Sequence, residues 1–266
     1  ISGATGVSLG GNIVTTGADS NAGTGSAGGA VTVTTTDGPI TLANVTAIGG
    51  NSTFGGGAGG VGGAISVQAV DAGGGPGPHA TLLGQLLAQG GLNSALTTNA
   101  TGGAISVNTV ANSGTGLTTL AGPVTTTNAD IDIRGTGITT QSGAVITNLA
   151  ANVRLQSAAG GTVTVGDTVS TLFSGDINIV GPAGAVLNAA LSTQSGAVNV
   201  TSAAGTVSGN SSGTITTTSL ANSGVASGAV TISGATGVSL GGNIVTTGAT
   251  RTVTSGTAAS AGGQVD

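Results

Sequence analysis

The sequence predicts an all-β solenoid, and three observations lead there. The opening stretch Ile1–Ala18 (ISGATGVSLGGNIVTTGA) recurs letter for letter as Ile232–Ala249, so the chain returns to its beginning after 231 positions. Between the copies a short phrase of strand type, two small residues and then apolar, any, apolar, keeps coming back. Its composition is rich in Gly, Ser, Thr and Val and lacks Cys, Met, Trp and Tyr. A chain that repeats itself and has only small branched side chains to bury is read as stacked layers along one axis.

The phrase first appears after the opening repeat as Gly29-Ala30-Val31-Thr32-Val33. It returns at Gly63-Ala64-Ile65-Ser66-Val67, Gly103-Ala104-Ile105-Ser106-Val107, Ala129-Asp130-Ile131-Asp132-Ile133 and Ala151-Asn152-Val153-Arg154-Leu155. Gly175-Asp176-Ile177-Asn178-Ile179, Gly196-Ala197-Val198-Asn199-Val200 and Gly228-Ala229-Val230-Thr231-Ile232 complete the series. The successive spacings are 34, 40, 26, 22, 24, 21 and 32 residues, which closes on eight rungs per 231-residue unit. Side chains alternate across a strand, so the two apolar positions face inward and the position between them faces out. Stacking then makes two inward columns, one running from Val31 to Val230 and one from Val33 to Ile232.

Each rung has room for two further short strands, with candidates at Ile40-Thr41-Leu42, Val163-Thr164-Val165, Val238-Ser239-Leu240 and Ile244-Val245. Gly143-Ala144-Val145 resembles the phrase but runs on into Ile146-Thr147, and is placed as a later strand of the rung that starts at Asp130. Turns are expected at the Gly clusters, where small residues let bends repeat from layer to layer. One stretch breaks the repeating pattern. It is DAGGGPGPHATLLGQLLAQGG, residues 71–91, in which Leu82, Leu83, Leu86 and Leu87 fall at helical spacing before Gly90-Gly91. A short helical or loop insertion is expected near residues 76–91, packed over the outside or mouth of the stack. The whole of 1–266 reads as one solenoid segment, with 1–231 one repeat unit and 232–266 the start of the next.

Composition excludes several functions. Eight Asp stand against three Arg, with no Lys or Glu and a net charge of −5, so no basic surface exists to meet nucleic acid. No apolar run is long enough to span a membrane as a helix. Without Cys there are no disulfides and no thiolate metal sites. The few charges concentrate in three consecutive rungs: Asp130, Asp132 and Arg134, then Arg154, then Asp176, with Asn152 and Asn178 among them. Asp132 and Arg154 share an outward column one layer apart and are expected to neutralise each other. Asp130 and Asp176 lie two layers apart, about 9–10 Å, too far to share one Ca²⁺. His79, the sole histidine, has only Asp71 near it in sequence and is expected to be an exposed loop residue. No catalytic, cofactor-binding or metal residue is assigned, and no cofactor is expected. The five N-x-S/T sequons, at Asn44, Asn51, Asn99, Asn199 and Asn210, are what this composition yields by chance.

With the phrase in view, typified by SGDINIVGPAGAVLNAALSTQSGAVNVTSAAG at 174–205, the chain resembles the filamentous-haemagglutinin-like and autotransporter-type large exoproteins of bacteria. That resemblance implies a right-handed parallel β-helix, an extracellular or cell-surface location, and a non-catalytic role as a surface fibre or adhesin stalk. It carries over no functional residues. The expected partner is self, stacked end to end or continued covalently, because the segment begins and ends inside rungs. Contact with a cell surface or matrix would follow, with no nucleic acid and no membrane insertion. The alternatives are a β-helical protein that binds or cleaves polysaccharide, and an ice-binding solenoid. The first lacks aromatic platforms and most general acids and bases. The second lacks a regular Thr array on the phrase face, whose outward column reads Thr32, Ser66, Ser106, Asp132, Arg154, Asn178, Asn199, Thr231.

Overall fold

The computed structural model describes residues 1–72, 79–95, 99–110, 116–219, 226–248 and 261–266. Among them every regular element is a β-strand, and the strands form three nine-stranded sheets in which all neighbours run parallel. Sheet A stacks Ser2–Gly3, Val31–Thr35, Ile65–Ala69, Ile105–Val107, Ile131–Gly135, Val153–Ser157, Ile177–Val180, Val198–Ser202 and Val230–Gly234. Sheet B stacks Val7–Leu9, Ile40–Leu42, Thr81–Leu83, Leu117–Leu120, Gly137–Thr140, Thr162–Val165, Gly184–Leu187, Val207–Gly209 and Val238–Leu240. Sheet C stacks Ile13–Thr16, Val45–Ile48, Leu86–Ala88, Val124–Thr126, Ile146–Asn148, Val169–Thr171, Leu191–Gln194, Ile215–Thr218 and Ile244–Thr247. One strand from each sheet makes a rung, so the described residues form nine rungs of a right-handed parallel β-helix.

The register is the one the phrases predict. Val31 pairs with Ile65, Ile65 with Ile105, Ile105 with Ile131, Ile131 with Val153, Val153 with Ile177, Ile177 with Val198 and Val198 with Val230. Both inward columns are buried along their length, except that Ile232 is only half-buried. That residue belongs to the ninth rung, where fewer layers cover it. Val265 bridges Val230 in parallel and begins another layer of sheet A. The candidate strands at 40–42, 163–165, 238–240 and 244–245 are all present, and Ile146–Asn148 is the third strand of the rung that starts after Asp130.

The expected helix is not there. Thr81–Leu83 and Leu86–Ala88 are strands of sheets B and C, while 76–78 lie outside the described residues. Leu83 and Leu86 are fully buried and Leu82 is exposed, the alternation of a strand. The helical spacing is an accident of rung geometry: two three-residue strands joined by the Gly84-Gln85 corner set their leucines three and four apart. Pairing with Ile40–Leu42 and Leu117–Leu120 satisfies the backbone of 81–83 in both directions, which an external helix would forfeit.

Buried polar side chains close one corner of most rungs. In sheet C the second inward position is Thr or Asn more often than aliphatic, and its side chain donates to the carbonyl of the first residue of a sheet A phrase. Thr126 reaches Gly103 (2.8 Å), Asn148 reaches Ala129 (2.6 Å), Thr171 reaches Gly175 (2.6 Å) and Thr217 reaches Gly228 (2.8 Å). Thr193 does the same to Gly196. A corner carbonyl turned away from the ladder would otherwise be buried without a partner, at a cost of roughly 1–3 kcal/mol.

The longer rungs place their extra residues in a Gly-rich fin between sheets C and A. Residues 17–30 and 49–64 each leave sheet C, turn, and come back, and these legs stack on one another and on the described residues of 89–95 and 99–104. Ser26 donates to Ala18, Gly50 to Ser26, Gly60 to Gly50, Gly91 to Gly60 and Ala100 to Gly91, all at 2.8–2.9 Å. Like legs of successive rungs also bond, as in Ser20 to Asn51 and Ser52 to Leu92. The legs approach so closely that a Cβ on Gly50 would strike the Ala18 carbonyl, and one on Gly60 the Ser26 carbonyl. The Gly clusters are therefore a packed backbone lattice as well as the turns the sequence suggested.

Candidate functional sites on the solenoid

Among the described residues two places gather ionisable side chains, and they differ in kind. The first is the outer face of sheet A in the fifth to seventh rungs, where Asp130, Asp132, Asn152, Arg154, Asp176 and Asn178 line an open groove of about 300 Å³. Asp130, Asn152 and Asp176 hold the second position of successive phrases, just before the strand. Each turns its Oδ1 onto the backbone N–H one rung on: Asp130 accepts from Asn152 (3.0 Å), Asn152 from Asp176 (3.0 Å) and Asp176 from Ala197 (2.8 Å). Higher up the face, Asn199 Nδ2 donates to Asn178 Oδ1 at 3.0 Å. These oxygens serve as an internal splint that spans rungs.

Asp132 and Arg154 do sit in register, as the spacing predicts. The ion pair, however, forms elsewhere: Asp132 binds Arg134, two residues along the same strand, with Nη2 at 2.8 Å from Oδ2 and Nε at 3.2 Å from Oδ1. Residues two apart share a strand face, and that geometry lets the guanidinium fork both carboxylate oxygens. The hydrogen bond to Asp132 raises the Arg134 pKa further above its already high value. Nothing in this groove pairs a nucleophile with a base.

The second place is the corner between sheets A and B in the second and third rungs. His79 is there, 6% exposed, and its Nε2 lies 2.7 Å from Asp37 Oδ1. The expectation of an exposed loop histidine is thus overturned: Ile40 pairs with Thr81, which carries His79 in beside the corner that holds Asp37. Asp71 faces Asp37 across an isolated antiparallel bridge. One ligand atom from each of Asp37, Asp71 and His79 lies within 4.8 Å of the other two. Asp37 escaped notice because it is 42 residues from His79. A signal was available, since Asp37 and Asp71 each stand six positions after the first apolar residue of a phrase, Val31 and Ile65.

One rung on, the same corner is plugged by Asn108. Its φ is +53°, which rotates its side chain into the interior where it is 3% exposed. Its Oδ1 accepts from Ala69 N (2.8 Å), and its Nδ2 donates to Thr81 Oγ1 (3.0 Å) and Thr118 Oγ1 (3.1 Å). Asn tolerates this left-handed conformation better than most residues, which explains its presence where the neighbouring phrases continue as strand. No family model matches the chain, and neither a curated protein nor a solved structure matches it.

Proposed function

We propose that this chain is a repeat segment of an extracellular bacterial filament or adhesin stalk, non-catalytic and continued along its axis. The observation that carries the reading is the match between sequence period and rung count. The 231-residue repeat spans eight whole rungs, so the ninth rung re-enters the sequence of the first with every strand in the same sheet. Val7–Leu9 and Val238–Leu240 are both in sheet B, and Ile13–Thr16 and Ile244–Thr247 both in sheet C. A period that was not a whole number of rungs would rotate each copy's faces relative to the last. A whole number keeps each face in line over any length, which suits a stalk. At about 4.8 Å per layer each unit adds roughly 38 Å.

The test is length. A protein carrying two tandem 231-residue units, compared with one carrying a single unit, should be a straight rod longer by about 38 Å in small-angle scattering and electron micrographs. Two bodies joined by a hinge would overturn the proposal, as would turnover of a polysaccharide by the single unit.

A second reading, ice binding, is favoured by one feature of sheet C. Its outward column reads Thr125, Thr147, Ser170, Ser192, Thr216 in unbroken register, more regular than the phrase face. Leu87 precedes this run and Val245 ends it, so the hydroxyl array covers only five rungs. Absence of thermal hysteresis and of ice-crystal shaping would remove this reading.

A further inference from the structure

We propose that Asp37, Asp71 and His79 form a binding site for a divalent transition-metal cation of the zinc type, which staples the second and third rungs at the corner between sheets A and B. The composition makes the cluster conspicuous. The whole chain has eleven Asp and Arg residues and one His, yet two carboxylates and the histidine converge here from positions up to 42 residues apart. Directly opposed residues of a bridge project to the same side, which brings the carboxylates of Asp37 and Asp71 together beside His79. A dication would accept both carboxylates and the neutral imidazole as ligands at once.

The donor set chooses the metal. Ca²⁺ and Mg²⁺ prefer all-oxygen shells, whereas one imidazole nitrogen with two carboxylate oxygens suits Zn²⁺, Co²⁺, Ni²⁺ or Mn²⁺. Bonds of about 2.0–2.2 Å put ligand atoms about 3.3–3.5 Å apart in a tetrahedron. The three atoms lie within 4.8 Å of one another, close to that spacing, and a metal would enter by opening the 2.7 Å contact between His79 Nε2 and Asp37 Oδ1. His79 is held by burial, while Asp37, at 29% exposure, leaves one side of the site open for water as a fourth ligand. The site also stands where a staple is useful, since the rung from Ile65 to Ile105 is the longest of the series.

The full chain, stripped with chelator, would be titrated with Zn²⁺ by calorimetry and with Co²⁺ by visible absorption, with Ca²⁺ as competitor. One Zn²⁺ per chain is expected, unaffected by equimolar Ca²⁺, with a raised melting temperature and a Co²⁺ ligand-field band. His79→Gln and Asp71→Asn should each weaken Zn²⁺ binding by more than the roughly 10–100-fold that outer-shell changes cost. Asp130→Asn, in the acidic ladder of sheet A, should leave it unchanged. Should His79→Gln fail to fold, zinc-edge X-ray absorption of the wild-type chain decides: one imidazole with oxygen ligands supports the site. An all-oxygen shell, no stoichiometric binding, or wild-type binding by His79→Gln would overturn it and leave a plain His–Asp hydrogen bond.

Discussion

The short rungs of sheets A to C between Ile131 and Gln194 and the longer rungs between Ser2 and Thr126 solve the same stacking problem with different materials. In the short rungs nearly everything is strand and tight corner. Their order comes from aliphatic columns such as Ile131/Val153/Ile177/Val198, from Thr hydroxyls locked onto corner carbonyls, and from Asp and Asn splints on the outside. The long rungs carry a large share of their residues outside the core. They hold that excess in place mostly by backbone pairing in the Gly fin, helped by side chains such as Asp19, Asn51 and Ser52, and by two buried polar corners, Asn108 and the His79 cluster. Extra length in a solenoid therefore does not imply a floppy loop. It implies a second lattice whose requirement is the absence of side chains.

The contrast is broken most severely by a charge in the shared column. Val198→Asp puts a carboxylate at a fully buried position between Ile177 and Val230, with no cation in its column. A loss of several kcal/mol is expected, enough to unfold the short-rung region at modest denaturant, and circular dichroism in urea measures it. Wild-type stability in this variant would mean that the column is not the core.

Next in size is a side chain in the fin. Gly60→Val drives a branched group into the Ser26 carbonyl at a buried position, with an expected cost of about 1–3 kcal/mol. The comparison predicts where that cost falls. Hydrogen exchange should quicken at residues 17–28, 49–62 and 89–95 while the strands between 131 and 218 keep their protection. Uniform loss of protection would show that fin and short rungs are one cooperative unit. Asn108→Ala tests the polar corner in a similar way: it leaves Ala69 N and two threonine hydroxyls short of a partner, for roughly 1–3 kcal/mol. Asn108→Asp should not rescue fully, because a carboxylate cannot donate to Thr81 and Thr118.

The same contrast explains what the sequence could tell. The phrase Gly-Ala-Val-Thr-Val and its relatives fixed the register of sheet A, because alternation of burial has period two and a one-residue slip would turn Val or Ile outward. Sheets B and C were visible mainly where two aliphatics flank one residue, as at Ile40–Leu42, or stand side by side, as at Ile244-Val245. Where a strand is spelled with Thr, as in Val124-Thr125-Thr126, the inward residue is polar and the alternation vanishes. Leu82 to Leu87 misled because corner spacing imitates a helical face. His79 misled because its partner arrives by stacking, and stacking partners lie one rung, not one turn, away in sequence. The fin was hidden in the same way: Gly runs look alike whether they bend freely or pack.

The smallest expected effect belongs to the ion pair of the short rungs. Asp132 and Arg134 lie on the outer face of sheet A, with their side chains 24% and 37% exposed. Arg134 gains from Asp132, as its raised pKa shows, but both are partly hydrated and neither bridges two rungs. Asp132→Asn keeps an oxygen that can accept one of Arg134's two hydrogen bonds, and removes the other bond together with the charge. It also leaves the backbone pairing of Asp132 with Ser106 and Arg154 untouched. The expected loss is therefore about 0–1 kcal/mol, the usual worth of a surface pair, and smaller still in high salt. Urea midpoints of the variant and wild type, taken at low and at molar salt, read this directly. A loss well above that range, or one that salt does not reduce, would place the outer charges among the forces that hold the rungs together. The distinction between a short-rung region ordered by its core and a long-rung region ordered by backbone and buried polar corners would then have to be redrawn.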